Sequence, residues 1–290
     1  MNVAPGRTVF GITFQNPVLL AAGTAGFGRE LDGIIDLDRL GGIVTKAVST
    51  APREGNPPPR VAEFPGGMLN SVGLANPGLS AVSADALPWL VRRLDRARII
   101  VNVVGFTVEE YAEVVLGLDS VDGLDGYELN LSCPNTSAGG IEFGADPASV
   151  TAIVARCRAA TRRPLIAKLS PVLPDIAAMA AVAKDAGVDG ISVVNTMPGS
   201  LDNISGTSRL GRPQGGVSGP ALLPVGLAAV RRVHERLPDI PIIGVGGIRS
   251  AEDVRSYLRA GASLVAVGTA QLADPRLPLR IVRTLEQDSG

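Results

Sequence analysis

Ile240-Pro241-Ile242-Ile243-Gly244-Val245-Gly246-Gly247-Ile248-Arg249-Ser250-Ala251-Glu252-Asp253, running on through Val254–Gly261 to Leu264-Val265-Ala266-Val267-Gly268-Thr269, spells one complete strand–helix–strand unit. Ile240–Val245 and Leu264–Val267 are short runs that stay apolar on both faces, as parallel strands covered on both sides do. Between them, Ser250 stands before Ala251-Glu252-Asp253 and offers an N-cap with an acidic first turn. Ala251–Ala260 has helical length and spacing, and Gly261 follows where a left-handed residue is wanted.

Outward from this unit the same pattern recurs along the chain. Further strands are expected at Val18–Ala22, Gly42–Lys46, Ile99–Val104, Gly126–Leu131, Leu165–Leu169 and Gly190–Asn195. Further helices are expected at Ser80–Leu94, Val108–Leu118, Pro147–Ala160, Asp175–Ala186, Ala221–Arg236 and Pro278–Glu286. Asp146-Pro147 supplies an N-cap followed by proline at the first helical position, and Gly187 lies just past a helix end. Eight strands alternating with helices predict a closed (β/α)8 TIM barrel, and 290 residues suit such a barrel of roughly 250 residues with inserts. A doubly wound Rossmann-type sheet is the alternative, but no G-x-G-x-x-G follows the first strand. Two inserts, Thr50–Pro77 and Met197–Pro220, read as loops leaving the C-terminal ends of strands, where barrel enzymes build their sites. No linker or composition break divides residues 1–290, which read as a single domain.

Composition narrows the function. Hydrophobic residues make up 46% and charged residues 19%, enough for a large core. The net charge of −1 and the absence of like-charge blocks argue against nucleic-acid binding. Cys133 and Cys157 are the only cysteines and His234 the only histidine, so no disulfide framework, iron–sulfur site or His-rich metal site fits within this chain. Thr8–Gly28, the longest uncharged N-terminal stretch, is broken by Gln15-Asn16-Pro17 and glycines. Neither a span of about 20 apolar residues nor a signal peptide is present, so a cytoplasmic protein without membrane attachment is expected.

The glycines of Gly244-Val245-Gly246-Gly247-Ile248 and Val267-Gly268-Thr269 sit at two adjacent strand ends, where backbone N–H groups can approach a phosphate. Ser218-Gly219 adds another donor edge. Tight strand-to-helix turns are the plainer explanation of any one of these glycines. The pattern does not say which phosphate compound binds, and a phosphate-binding barrel isomerase without flavin stays open at this point. Polar groups also stand at strand ends that are otherwise apolar: Lys46, Asn102, Asn130, Lys168 and Asn195-Thr196. Unpaired, such groups cost several kcal/mol on burial, and a polar ligand at the barrel mouth would satisfy them.

Glu128-Leu129-Asn130-Leu131-Ser132-Cys133-Pro134-Asn135 strongly resembles the active-site motif of class 1 dihydroorotate dehydrogenases, in which the cysteine is the catalytic base. Met68-Leu69-Asn70-Ser71-Val72-Gly73-Leu74-Ala75-Asn76-Pro77-Gly78 is similar to that family's substrate loop, and Arg53-Glu54-Gly55-Asn56-Pro57 with Arg60-Val61 resembles the segment leading into it. The match runs from about Thr13 to Pro275. Gly26-Phe27-Gly28, Arg60-Val61-Ala62-Glu63, Leu87-Pro88-Trp89-Leu90 and Gly216-Val217-Ser218-Gly219-Pro220 are similar to class 1B catalytic subunits. Class 2 enzymes have a serine base and an N-terminal membrane-associating extension, whereas here the barrel begins almost at once. Ala75 departs from the larger residue of the family's loop, the C-terminus ends soon after the last helix, and Ser200–Gly215 matches poorly.

The resemblance implies oxidation of dihydroorotate to orotate with one FMN per chain, in UMP synthesis. It implies Cys133 as base, and Lys46, Asn70, Ser71, Val72, Gly73, Leu74, Asn130, Asn135, Asn195 and Thr196 around the substrate. Around the flavin it implies Ala22, Gly23, Lys46, Ala47, Asn102, Asn130, Lys168, Val194, Gly219, Gly246, Gly247, Gly268 and Thr269. Lys168 would offset negative charge on the reduced ring. No metal is implied in this chain. Class 1B further implies a homodimer within a heterotetramer, whose separate electron-transfer subunit carries FAD and a [2Fe–2S] cluster and passes electrons to NAD. The alternatives are a class 1A-like enzyme with another acceptor such as fumarate, a flavin barrel reducing a related pyrimidine, and a non-catalytic scaffold. Cys157, on an expected helix, suits a small buried hydrophobe, and His234 carries no expected role.

Overall fold

In the computed structural model, which describes residues 6–132 and 142–288, eight parallel strands close on themselves. In chain order the strands are β1 (Arg7–Val9), β2 (Ile12–Phe14), β3 (Val18–Leu20), β4 (Gly42–Val44), β5 (Val61–Phe64), β6 (Gly67–Asn70), β7 (Arg98–Val103), β8 (Gly126–Asn130), β9 (Leu165–Leu169), β10 (Gly190–Val193), β11 (Met197–Gly199), β12 (Gly215–Ser218), β13 (Ile242–Val245) and β14 (Leu264–Val267). The barrel order is β3-β4-β7-β8-β9-β10-β13-β14, with β14 pairing back onto β3, so the (β/α)8 expectation holds.

Helices α1 (Gly78–Ala81), α2 (Leu87–Arg93), α3 (Val108–Asp119), α4 (Pro147–Ala160), α5 (Ile176–Ala186), α6 (Leu223–Arg236), α7 (Ala251–Arg259), α8 (Thr269–Ala273) and α9 (Leu277–Gln287) follow the strands. A π turn, Val82–Ala86, joins α1 to α2, so the expected Ser80–Leu94 helix exists but is not regular. The helix starts are chemically specified. Thr107 accepts from the Glu110 amide while the Glu110 carboxylate accepts from the Phe106 amide at 2.6 Å. Asp146 accepts from the Ser149 amide, Asp175 from that of Ala178, and Ser250 from that of Asp253, each satisfying an orphan N–H. Gly187 and Gly261 end α5 and α7 at φ 112° and 109°, as expected. Among the described residues no helix is long and apolar enough to cross a membrane.

Strand alternation sorts the core into two. Val18, Leu20, Ile43, Ile99, Val101, Tyr127 and Leu129 face the helix layer in the larger apolar cluster. Leu19, Val44, Ile100, Ile166, Ile243 and Leu264 instead fill the barrel interior, together with Val9 and Phe14. The β1–β2 hairpin, not foreseen from the sequence, brings this last pair to the interior cluster.

The two inserts are not the loops expected of them. Thr50–Pro77 contains β5 and β6, Met197–Pro220 contains β11 and β12, and the four pair antiparallel in the order β11-β12-β6-β5. Asn70 sits opposite Gly216 and donates its side-chain amide to the Gly216 carbonyl at 3.0 Å. Ala62, Leu69 and Leu210 form a small core of their own, and the Gly211 amide donates to the Pro59 carbonyl. The Ser200–Gly215 stretch is thereby tied to the first insert.

Phe14 is fully buried and meets Phe10 edge-on at 6.5 Å. Its truncation in Phe14→Ala should cost about 3–5 kcal/mol of stability, measured by urea denaturation; a loss below about 1 kcal/mol would show that the hairpin does not close the interior.

Candidate active site

Above the apolar interior the strands change character at one level. Two residues beyond Val44, Ile100 and Ile166 stand Lys46, Asn102 and Lys168, so the side chains that follow on the inward face are polar. These line a cavity of 1410 Å³ at the C-terminal ends of the strands, roofed by the four-stranded sheet. It exceeds the roughly 300–1,000 Å³ of ordinary ligand pockets and has room for two molecules.

Every expected site residue that the structure describes lines this one cavity. Ala22, Gly23, Lys46, Ala47, Asn102, Asn130, Lys168 and Val194 come from the floor and strand ends, and Gly246, Gly247, Gly268 and Thr269 from the turns after β13 and β14. Asn70, Ser71, Val72, Gly73 and Leu74 descend from the first insert, and Asn195, Thr196 and Gly219 belong to or border the second. Cys133 and Asn135 lie outside the described residues. Leu74 is held at φ 59°, a conformation few side chains adopt. The Asn56 amide steadies this loop through Ser71 Oγ at 2.9 Å, and Asn76 anchors it to Ser49 at 2.8 Å.

Two hydrogen-bonded groups organise the floor. Asn195 Nδ2 donates to Asn130 Oδ1 at 3.2 Å, and Asn195 Oδ1 accepts from the Thr196 backbone amide at 2.9 Å. Tyr111 supports Asn130 from outside the barrel, its hydroxyl donating to the Asn130 backbone carbonyl at 2.6 Å. In the second group Glu128 Oε1 accepts from Asn102 Nδ2 at 2.7 Å and from Lys168 Nζ at 3.3 Å. Sequence reasoning quoted Glu128 within its motif but gave it no task, although a carboxylate in an apolar strand needs a partner. Tyr111 was missed because a helix tyrosine carries no such signal. Lys46 has no carboxylate within ion-pair distance among the described residues, leaving its ammonium for a ligand. Glu142, also on the cavity wall, has its carboxyl raised above the ordinary value by burial, opposed by a hydrogen bond from Ser170.

The dihydroorotate dehydrogenase family model matches residues 6–288. A Pelobacter propionicus protein named dihydroorotate dehydrogenase B (NAD(+)), catalytic subunit, is 46% identical over 278 residues, covering 96% of this chain and 90% of the relative. A Desulforudis audaxviator protein of the same name is 45% identical over 288 residues, 99% of this chain and 93% of the relative. A Solibacter usitatus protein provisionally named dihydroorotate dehydrogenase A (fumarate) is 47% identical over 279 residues, 96% of this chain and 91% of the relative. The chain belongs to the dihydroorotate dehydrogenase family. It is therefore an oxidoreductase of a flavin-dependent family.

The cavity suits a flavin of this family. A Cβ at Gly268 would meet nothing nearer than Ala21 at 3.6 Å. Crowding by the protein does not demand glycine here, so its lack of a side chain leaves cavity space free. Gly23 is likewise uncrowded, with nothing within 4 Å, although its φ of 80° itself favours glycine. Gly247 and Gly219 differ: Cβ atoms there would strike Leu223 N at 2.5 Å and Gly67 Cα at 2.9 Å, so the tight-turn explanation holds for these two. Ser218 reaches the end of β14, where its hydroxyl accepts from Thr269 Oγ1 at 2.8 Å. The buried Ser132 hydroxyl on the cavity wall has no hydrogen-bond partner among the described residues. Open glycines beside hydroxyls, with Lys168 and Asn102 deeper in, form a donor set fit for a phosphate tail and a polar ring edge.

Gly268→Ala should fold normally but lose about 1–3 kcal/mol of flavin affinity through overpacking, measured by fluorescence titration of apoprotein with FMN; an unaltered Kd would remove Gly268 from the flavin's wall. Cys157 is buried, and burial, weakly opposed by Arg158, pushes its thiol up to about 12. At pH 8 Cys157 of the native protein should stay unlabelled by iodoacetamide, as read by peptide mass spectrometry; its rapid labelling would contradict its burial.

Proposed function

We propose that this chain oxidises dihydroorotate to orotate with FMN, as the catalytic subunit of a B-type, NAD-linked enzyme. What chiefly supports this reading is that twenty residues expected around flavin and substrate line one cavity in a chain of this family. The reaction takes a proton from C5 and a hydride from C6, and bound FMN supplies the two-electron acceptor. The protein's own tasks are then to hold the substrate, exclude water and receive the proton.

Cys133 is the proposed base. Ser132 and Glu142, which flank the segment 133–141, both line the cavity, and this supports a base delivered from that side. A thiol with a reference pKa of about 8.5 must be activated to accept a proton at neutral pH, and a water-excluding closed cavity favours transfer once substrate is in place. The paired amides of Asn130 and Asn195, with Asn70 from the roof and Asn135, present donors and acceptors together, which suits a pyrimidine's alternating carbonyls and N–H groups. Lys46, without a carboxylate partner among the described residues, offers a cation to the substrate carboxylate or the reduced ring.

The 1–290 chain acts in this reading as one flavin-binding domain in the cytoplasm, as a homodimer within a heterotetramer. A separate subunit would carry FAD and a [2Fe–2S] cluster, for which this chain's two cysteines do not suffice. The name catalytic subunit on the Pelobacter and Desulforudis relatives supports such a partner. The Solibacter relative's name keeps fumarate as the competing acceptor.

Anaerobic addition of dihydroorotate to the purified yellow protein should bleach its flavin band; a band that persists would require another substrate, and a protein that takes up no FMN would return the cavity to a flavin-free phosphate barrel. Cys133→Ala should keep its flavin but be reduced about 10²–10⁴-fold more slowly in stopped-flow traces, whereas near-normal reduction would remove Cys133 from the mechanism. Lys168→Ala should lose flavin or slow its reduction; an unchanged spectrum and rate would refute the role given to that lysine.

A further inference from the structure

Three neighbouring strands bring Asn102 of β7, Glu128 of β8 and Lys168 of β9 into one group at the boundary between the apolar interior and the cavity. Asn102 and Glu128 are direct partners across β7–β8, and Lys168 stands one inward step higher, opposite Asn130. Asn102 and Lys168 line the cavity; Glu128 does not, and is only 2% exposed. Its one oxygen, Oε1, accepts from both neighbours.

We propose that Glu128 is a positioning residue that sets both the hydrogen-bonding pattern and the charge that Asn102 and Lys168 present to the flavin ring. The inference rests on the flavin reading of the cavity. Two consequences follow from the geometry. An amide whose N–H is committed to a carboxylate below can no longer flip, so the Asn102 carbonyl oxygen is left for the cavity. Lys168 gives one N–H to the same carboxylate and keeps two. The floor thus offers an acceptor beside donors, the complement of a ring edge that carries N–H next to carbonyl oxygen and bare nitrogen. The second consequence concerns charge. In a water-poor site a lone ammonium strongly favours any added negative charge, including that of a two-electron-reduced ring. With Glu128 beside it at 3.3 Å the pair is neutral overall, which tempers that pull and keeps the ring able to pass its electrons on.

The test uses the full chain loaded with FMN, with sulfite titration and the two-electron midpoint potential as readouts. Both report how the ring accommodates negative charge, and neither requires turnover. Glu128→Gln keeps the shape and removes the charge. It should tighten sulfite binding about tenfold, equal to a rise of about 30 mV in a two-electron potential. Lys168→Gln should loosen binding by a similar factor, and adding Glu128→Gln to it should bring sulfite affinity back towards wild type. That double variant exchanges the ion pair for two amides of like volume, so it also decides the matter if an unpaired Lys168 keeps Glu128→Gln from folding. Unchanged sulfite affinity in Glu128→Gln, or a double variant no different from Lys168→Gln, would overturn the proposal. A wild-type chain that binds no FMN would overturn the flavin reading itself, and the wild-type spectrum tells that failure from this one.

Discussion

A closed parallel barrel has no edge to spare, and every second side chain on its strands must go into an interior that is too narrow for water and wide enough to need filling. In this chain that constraint does two jobs in succession. The lower inward positions, among them Val44, Ile100 and Ile166, close against Val9 and Phe14 into a dry plug. Two residues further along each strand the same alternation presents Lys46, Asn102 and Lys168, at the level where the plug ends and the cavity begins. The site is thus a continuation of the core's own periodicity. A one-residue slip in any of these strands would turn its polar group into the helix layer.

The roof obeys a different rule. Its four strands are three or four residues long, come from two distant inserts, and have a small apolar core of Ala62, Leu69 and Leu210. Such a sheet gains little from burial and depends on the barrel beneath it to hold its ends in place. Asn70 illustrates the coupling: its side chain spends an N–H on the Gly216 carbonyl, fastening the first insert to the second, while the residue itself lines the cavity. A cavity wall carried on such a marginal element can open and close more readily than one built on the barrel strands.

How much of this was legible in the sequence follows from the range of the forces involved. The barrel strands were readable because burial on both faces leaves continuous Val/Ile/Leu runs, and two helix starts because Asp146 and Ser250 act on N–H groups two or three residues away. The floor residues were readable because Lys46 and Lys168, two of only three lysines in the chain, interrupt apolar strands. The roof was not. β6 and β12 pair across about 150 residues, and a Gly-rich run such as Gly215–Ser218 has no strand signature until its partner is present. The glycines were half legible. Sequence showed where they cluster, but only a built neighbour separates Gly247, forced by Leu223, from Gly268, which no neighbour crowds and where space is kept.

Glu128 sits where these lines of argument meet. A buried ion pair is a poor device for stability, since replacing it with apolar groups of like volume is often neutral or better by about 1–4 kcal/mol. The barrel could have continued its apolar plug by one more layer at the Glu128 level, as Ile166 does opposite it on β9. It instead buries a carboxylate that touches no cavity, held by two side chains that do. Stability gives no reason for that arrangement, and a lysine whose charge must be both present and restrained does.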